Sequence, residues 1–297
     1  MARRLSKGDI AWNTFNYTFL VLMAVVCVYP FLWVAATSFS NPEEVLKGTV
    51  YIWPRGFDLT TYRLVFSFRQ LWVGYGNTIY YAALGTALNV AMTMIMAYPL
   101  SRTWVKGRGI ISWMIVFTML FSGGMIPTYL VVKGLGMTNT RWAMIVPGAI
   151  SAWNLILTRT YLTANIPDEL VEAAAIDGAN DLRTFWSIVL PLSGPILAVI
   201  TLFYAVGHGN AYVAPLIYLN SPKLFPLTII LRDLTTGDLS RGGFTLGSAF
   251  LSTKQRAAYT FNLKYAAIIV ASAPIMALYP FLQRYFVKGV MIGALKG

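Results

Sequence analysis

The sequence contains one histidine, one cysteine and 11 acidic residues among its 297 positions. The lone cysteine, Cys27, excludes an intrachain disulfide and leaves no cysteine cluster for zinc or an iron–sulfur group. The lone histidine, His208, excludes the His-Glu-x-x-His zinc site of metalloproteases. The sequence also lacks the Gly-x-x-x-x-Gly-Lys-Ser/Thr phosphate loop and the Gly-x-Ser-x-Gly elbow of triad hydrolases. We therefore expect no catalytic residue, no bound metal and no cofactor in this chain.

Apolar residues dominate instead. They make up 57% of the sequence, and charged residues only 11%, against about 25% charged residues in soluble domains. A membrane-spanning helix needs about 20 mostly apolar residues, and six windows meet this requirement. We expect an all-α membrane protein, one domain over residues 1–297, with six transmembrane helices near residues 15–37, 78–100, 110–132, 142–162, 192–219 and 265–286.

The net charge of +12 is interpreted as a mark of membrane topology, and no nucleic-acid partner is expected. Short basic segments stay in the cytoplasm, so six spans would place both termini there. The basic residues of these segments are Arg3, Arg4, Lys7, Arg102, Lys106, Arg108, Arg284, Lys288 and Lys296. The two long outer loops, residues 38–77 and 220–264, also carry basic residues, but long loops cross membranes largely regardless of charge.

The third predicted span contains the glycines Gly123 and Gly124, followed by Pro127. These residues weaken a helix and free backbone groups, which membrane proteins tolerate where protein or a water-filled cavity satisfies those groups. Small residues also permit a tight crossing of two helices. The sequence leaves both interpretations open, a bend beside a cavity and a tight crossing.

Polar side chains mark the second span and the outer half of the fifth. Polar groups at membrane depth are costly in lipid, so they face the interior of the helix bundle or a polar cavity. Two interpretations stay open for these residues: the lining of a pathway for a polar solute, and hydrogen bonding between helices. The candidates are Asn89, with Thr93 one turn further on, and Tyr204, His208, Asn210 and Tyr212.

A polar segment over residues 164–191 separates the fourth and fifth spans. Its start, Ile166-Pro167-Asp168-Glu169, is typical of a helix N-terminus, since proline suits the first turn and carboxylates suit the positive end of the helix dipole. Gly178 predicts the end of this helix, and Asn180-Asp181 can cap a second helix that runs to Pro191. We expect this helix-turn-helix to lie on the cytoplasmic face.

One stripe of the first helix contains Glu172, Ala175, Ile176 and Ala179, because residues three and four apart are neighbours on a helix. A short charged helix with an alanine face, held in a loop between spans, needs another protein surface to pack against. The stripe therefore indicates contact with another subunit.

The same segment carries a spaced motif. Glu172-Ala173-Ala174 is followed by Asp177-Gly178-Ala179 and then by Phe185, Ile188, Leu190 and Pro191. This pattern resembles that of permease subunits of binding-protein-dependent ABC importers, in particular the carbohydrate-uptake branch. Three further stretches look like those of permeases for complex oligosaccharides or polysaccharide fragments, and the layout is similar to that of maltose-importer permeases. These stretches are Phe121–Tyr129, Asn154–Ile156 with Arg159, and Lys288–Gly297.

The resemblance implies a multi-pass protein of the bacterial inner membrane, in contact with lipid, that moves a sugar by alternating access. It implies three kinds of partner: a second permease subunit, two ATPase subunits that bind ATP and Mg, and an extracytoplasmic solute-binding protein. The polar segment would be the coupling helix that sits in a groove of the ATPase. The implied coupling residues are Glu172, Ala173, Ala174, Asp177, Gly178, Ala179 and Pro191.

One position departs from the family pattern. The family often has Trp-Asn in the fifth span, whereas here Gly209 precedes Asn210. Loss of an indole would enlarge the pathway or change sugar stacking. Asn210 alone is carried over as a pathway residue.

The charge of the outer loops suggests a substrate class. Basic residues exceed the acids Asp233 and Asp238 there, so a basic mouth would steer an acidic solute, for example a uronic-acid oligosaccharide such as an alginate fragment. Ordinary solvation of the loops is the alternative interpretation. The basic residues concerned are Lys223, Arg232, Arg241, Lys254, Arg256 and Lys264.

Two other functional classes stay open at this stage. One is a secondary carrier without an ATPase, which the absence of acidic residues from the predicted spans disfavours. The other is a membrane scaffold subunit that transports nothing.

Overall fold

The computed structural model describes residues 6–236, 258–274 and 276. Within these ranges the chain is helical, with one isolated bridge between Ser40 and Phe57 and no strand. A π-helical turn, Phe185–Val189, and a 3-10 turn, Pro222–Leu224, accompany the α-helices. The α-helices are α1 (Lys7–Ser38), α2 (Pro42–Leu46), α3 (Thr60–Ser67), α4 (Arg69–Ser101), α5 (Arg108–Leu120), α6 (Met125–Gly134), α7 (Trp142–Ile145), α8 (Ala152–Asn165), α9 (Asp168–Ile176), α10 (Asp181–Thr184), α11 (Leu190–Leu192), α12 (Gly194–Gly209), α13 (Val213–Tyr218), α14 (Leu227–Thr236) and α15 (258–274).

Two helices, α1 and α4, are long and apolar enough to cross a membrane, and they contain the first and second predicted spans. Two further candidates are helix pairs bent at a short break: α5 with α6, at 115°, and Asp181–Leu192 with α12, at 81°. The described residues thus hold two to four candidate spans. The count of six stays a prediction, because the sixth window, residues 265–286, extends past α15 into residues outside the described ranges.

The break between α5 and α6 lies at the glycines of the third predicted span. Gly124 has φ 87° and ψ 177°, a backbone region that essentially only glycine occupies. A Cβ atom at Gly124 would have no neighbour within 4 Å, and one at Gly123 would meet only the Cβ of Pro127, at 3.9 Å. Among the described residues, therefore, these glycines form a bend and do not form a tight helix crossing.

The predicted fourth span, residues 142–162, is not one continuous helix. The short helix α7 ends at Ile145, residues 146–151 are irregular, and α8 begins at Ala152. Pro147 has no backbone N–H and restricts the residue before it, which explains why the helix stops here. The side chain of Ser151 caps α8 by accepting the N–H of Asn154.

Contacts between Cα atoms divide the chain into two compact units, one of residues 1–69 and 231–275 and the other of residues 70–230 and 276–297. The expectation of a single domain stays a prediction. In the first unit, Trp33 near the end of α1 packs edge-on against Tyr265 of α15, with ring centroids 5.4 Å apart. Asn262 donates from Nδ2 to the carbonyl oxygen of Ser40, at 3.2 Å. α1 and α15 therefore meet at the loop that follows α1.

The first unit also holds a carboxylate that accepts several hydrogen bonds, Asp58. Its Oδ1 accepts the N–H of Thr60 at 2.7 Å, and its Oδ2 accepts the hydroxyl of Tyr259 at 2.8 Å. Burial acts to raise the pKa of Asp58, but the hydrogen bonds from Thr60 and Tyr259 outweigh it and hold that pKa below its ordinary value of 3.8. This carboxylate thus fixes α15 against the loop before α3.

The core of the second unit forms where α4, α8, the π-helical turn and α12 meet. Its buried members are Met94, Ala97, Leu100, Leu155, Leu162, Ile166, Phe185, Val189, Ile196, Ile200 and Tyr204. Another contact joins α4 to the loop before α14: Nδ2 of Asn77 donates to the carbonyl oxygens of Lys223, at 2.8 Å, and Phe225, at 3.1 Å. This unit carries both groups of candidate functional residues.

Candidate functional site

The polar segment of residues 164–191 folds as the predicted helix-turn-helix. α9 begins at Asp168 after Pro167 and ends at Ile176. Gly178 has φ +81°, the left-handed conformation that glycine adopts at helix ends. The N–H of Gly178 donates to the carbonyl oxygen of Ala175, at 3.0 Å, and the N–H of Ala179 to that of Ala174, at 2.9 Å. These two bonds form a Schellman motif, which fixes the turn after α9.

The second helix of the segment begins with the predicted cap. Oδ1 of Asn180 accepts the N–H of Arg183, at 2.8 Å. The helix continues through a π-helical turn at Phe185–Val189 to Leu192. Phe185 and Val189 are buried in the core of the second unit, whereas Pro191 is exposed. The turn thus anchors the segment at its C-terminal side.

α9 has one buried edge and one exposed face. Val171 and Ala174 are buried, while Leu170, Glu172 and Ile176 are exposed, Ile176 to 87%. The residues at the helix end, Asp177 and Gly178, are also exposed, and Ala179 is half-buried. Of the seven coupling residues implied by the motif, Ala174 therefore faces its own chain.

Leu182 is exposed to 71% and Trp186 to 63%. They follow α9 on the second helix of the segment. Together with Ile176 they give this polar segment a set of exposed large apolar side chains, which is typical of an interaction surface. We call the exposed side chains Glu172, Ala173, Ile176 and Leu182 the docking face.

A polar network joins the second and fifth predicted spans. Asn89 is exposed to only 2%, and its Nδ2 donates to Nε2 of His208, at 3.3 Å, and to the carbonyl oxygen of Gly148, at 3.2 Å. Gly85, one turn before Asn89, lies so close to the His208 ring that a Cβ atom there would overlap it. Two of the candidate pathway residues, Asn89 and His208, are therefore partners of each other.

The network continues one turn along both helices. The hydroxyl groups of Thr93 and Tyr204 lie 2.7 Å apart, and the Tyr204 oxygen accepts the N–H of Ser151, at 3.1 Å. Asn89 and Tyr204 thus satisfy two backbone groups, at Gly148 and Ser151, that the break between α7 and α8 has freed. Irregular backbone at membrane depth requires such partners, so this geometry supports hydrogen bonding between helices for Asn89, Tyr204 and His208.

The other two candidate pathway residues lie apart from this network. Asn210 is the C-terminal cap of α12, and Tyr212 directly precedes α13. Both are exposed. The structure thus divides the pathway candidates into a hydrogen-bonded set of three and an exposed pair.

A cavity of about 730 Å³ lies between α4, the π-helical turn and α12. Among the side chains that line it are Val90, Met94, Phe185, Trp186 and Leu197. Such apolar walls offer almost nothing to the hydroxyl groups of a sugar. The cavity suits an apolar side chain or a lipid chain.

The residue that sequence reasoning missed is Arg102. The sequence treats it as one of several basic residues at a membrane edge, but its side chain is only 1% exposed and binds Asp168 at the start of α9. Its position directly after a long apolar helix and before a polar loop is the only sequence signal. In the described residues, no group of three or more His, Cys, Asp or Glu side chains is placed to hold a metal ion.

The chain matches known proteins over almost its whole length. The family described as "Binding-protein-dependent transport system inner membrane component" matches residues 1–292. The polygalacturonan/rhamnogalacturonan transport system permease protein YtcP of Bacillus subtilis is 42% identical over 95% of this chain and 96% of its own. The trehalose/maltose transport system permease protein MalG of Thermococcus litoralis is 28% identical over 93% of this chain and 94% of its own.

A solved structure is similar as well. It is the crystal structure of a bacterial ABC transporter involved in the import of the acidic polysaccharide alginate, with a TM-score of 0.85 and 29% identity, covering 96% of this chain and 100% of that chain. The resemblance noted in the sequence is thereby confirmed. The chain belongs to the family of inner membrane components of binding-protein-dependent transport systems, the non-catalytic permease subunits of ABC importers, whose ATPase is a separate partner.

Proposed function

We propose that this chain forms one half of the translocation pathway of an ATP-driven importer for an acidic oligosaccharide. Its partners are a second permease subunit, two ATPase subunits that bind ATP and Mg, and a solute-binding protein on the outer side. Both termini and the segment of residues 164–191 lie in the cytoplasm. The docking face sits in a groove of one ATPase, and closure of the ATPase pair moves the spans between outward-open and inward-open states.

The observation that carries this proposal is the docking face itself. A loop helix that exposes Ile176 to 87% and is fixed at its end by the Schellman motif at Gly178 presents a rigid apolar surface. Family membership supplies the ATPase as its partner. Glu172 lies on this face, where reversal of its charge alters the interface and leaves the chain's own core unchanged.

The substrate class is supported chiefly by the relatives. A permease for polygalacturonan, a polymer of a uronic acid, and a transporter of the acidic polysaccharide alginate are both similar to this chain. The basic residues of the outer loops give weaker support for an acidic substrate. Arg232 pairs with Asp233 at 3.0 Å, Lys264 lies over the rings of Phe261 and Tyr265, and the side chain of Lys223 is exposed. The remaining three basic residues, Arg241, Lys254 and Arg256, lie outside the described ranges.

The test is uptake by the reconstituted transporter in vesicles, with its sister permease, ATPase and binding protein. Oligogalacturonate and a neutral oligogalactoside of the same length serve as competing probes. We expect ATP-dependent uptake of the acidic probe, abolished by Glu172→Lys. Glu43→Lys is the matched control, because it makes the same charge change at an exposed residue of α2, in the first predicted outer loop.

Each alternative has its own outcome. Uptake without ATP would indicate a secondary carrier. Association with an ATPase without any flux would indicate a scaffold subunit. Equal uptake of the two probes would leave the importer in place and overturn the acidic substrate.

A further inference from the structure

Arg102 occupies an unusual position for a charged side chain. It follows the last residue of α4, Ser101, and is only 1% exposed. Nε donates to Oγ of Ser101, at 3.0 Å, and the guanidinium carbon lies 5.4 Å from the ring centroid of Tyr98. A buried guanidinium is retained only where charged and polar partners compensate its loss of water.

The chief partner of Arg102 is Asp168 on α9, the helix that carries most of the docking face and is called the docking helix below. Nη1 of Arg102 donates to Oδ1 of Asp168, at 3.1 Å, and to the carbonyl oxygen of Ile166, at 3.0 Å. The next residue, Thr103, donates its hydroxyl to Oδ2 of Asp168, at 2.6 Å. Both carboxylate oxygens of the first residue of α9 are therefore held by the two residues that directly follow α4.

A second set of contacts fixes α8 to the same end of α4. Nε of Arg159 donates to the carbonyl oxygen of Leu100, at 3.0 Å. The hydroxyl of Thr163 donates to the carbonyl oxygen of Ser101, at 3.4 Å. These side chains satisfy carbonyl groups that a helix end leaves without an intrahelical partner. The end of α4 is thus joined to the end of α8 and to the start of α9.

The ion pair is better suited to fixing a position than to adding stability. Replacement of a buried ion pair by apolar residues often leaves stability unchanged or raised, whereas its directed hydrogen bonds fix geometry. Nη2 of Arg102 is also buried without a hydrogen-bond partner among the described residues. One guanidinium nitrogen therefore lacks a hydrogen bond, whereas a pair retained for stability alone would use all of its donors.

We propose that Arg102 is a positioning residue that ties the docking helix α9 to the membrane helix α4, so that the two move as one body. A displacement of the docking face by the ATPase would then reach α4 directly through the Arg102–Asp168 pair. Two residues of α4, Asn89 and Thr93, are linked to the break between α7 and α8. Asn89 donates directly to a carbonyl oxygen of the break, and Thr93 is linked to it through Tyr204. This inference rests on the proposed function, since it assigns the element that transmits the motion.

The test uses Arg102→Met in the complete transporter, with Lys106→Met as the matched control. Lys106 is exposed on the same loop, so its replacement removes the same charge from the same membrane edge. The readouts are association with the ATPase, uptake of oligogalacturonate, and ATP hydrolysed during uptake. We expect Arg102→Met to retain the ATPase but to lower uptake per ATP about fivefold or more, the range typical of a lost coupling between sites, with Lys106→Met unchanged.

The double variant Arg102→Met with Asp168→Asn separates positioning from stability. It removes both charges of the pair, so no carboxylate is left without its guanidinium partner and the amount of intact complex should recover. Uptake per ATP should stay low because the tie is absent. Uptake per ATP equal to wild type in Arg102→Met would overturn this inference and leave the proposed function standing. Failure of the wild-type chain to bind the ATPase would overturn both.

Discussion

The Nδ2 atom of Asn89 lies 3.3 Å from Nε2 of His208, although 119 residues separate the two in sequence. This hydrogen bond joins α4 to α12, and Gly85 makes it possible by leaving room for the imidazole ring. The contact relates two features that sequence patterns treat separately, a small residue on one helix and a polar residue on another.

Replacement of Gly85 by Ala should therefore weaken the joint between α4 and α12. The added methyl group would overlap the His208 ring and force it away from Asn89, at a cost of about 1–3 kcal/mol for overpacking. Thermal melting of the purified transporter in detergent measures the loss. Gly76→Ala is the control, because a Cβ atom at Gly76, also in α4, meets nothing within 4 Å.

A second variant identifies the cause. Addition of His208→Ala to Gly85→Ala removes the overlapping ring, so part of the lost stability should return. Equal melting temperatures for Gly85→Ala and Gly76→Ala would contradict the proposed overlap.

The turn after α9 allows a prediction on coupling. Gly178 has φ +81°, and a Cβ atom there would have no neighbour within 4 Å, so any effect of Gly178→Ala comes from the backbone. Alanine in the left-handed conformation costs about 1–2 kcal/mol, which should distort the docking face and lower stimulation of ATP hydrolysis by the loaded binding protein. Gly178→Asn should retain more stimulation, because asparagine tolerates this conformation. Equal losses in both variants would argue against a backbone cause.

The bend between α5 and α6 should depend on one glycine of the pair. Gly124 lies in a region that costs other residues about 1–3 kcal/mol, so Gly124→Ala should lower both the melting temperature and the uptake rate. Gly123→Ala is the neighbouring control, since Gly123 has an ordinary φ angle and room for a methyl group. Tolerance of both variants would show that the bend can form without this conformation.

The pH dependence of stability should include Asp58. Because hydrogen bonds hold its pKa in the folded chain below the ordinary value of 3.8, the carboxylate stabilises the fold at pH values above that ordinary value. The contribution is lost as the pH falls through the lowered pKa of the folded state. Melting temperatures of wild type and Asp58→Asn should therefore differ at about pH 5 and converge as the pH falls below the ordinary value of 3.8. A constant difference over this range would exclude Asp58 as the titrating group.

Local features of the segment of residues 164–191 were predictable from the sequence. Proline at the start, glycine after the end and asparagine as the next cap act within a few residues of themselves, so Pro167, Gly178 and Asn180 lie as their chemistry predicts. The apolar windows likewise located α1 and α4, since hydropathy is a property of the segment alone.

Features that depend on tertiary contacts were not predictable. The burial of Arg102 depends on Asp168 and Ile166, more than 60 residues later in the chain. The break within residues 146–151 is tolerated because Asn89 and Tyr204 supply hydrogen bonds from other helices. Hydropathy averaged over the window from residue 142 to 162 conceals the turn at Pro147.

The exposed surface of α1 bears on how this helix inserts into the membrane. In a helix of 32 residues, only Ala36, Thr37 and Ser38 are buried, and most of its other side chains are exposed with respect to the described part of the chain. A helix of this kind requires no later part of the polypeptide in order to reside in lipid, because its backbone bonds are internal and its surface is apolar. Insertion of α1 into a bilayer therefore does not depend on prior packing against the other described helices.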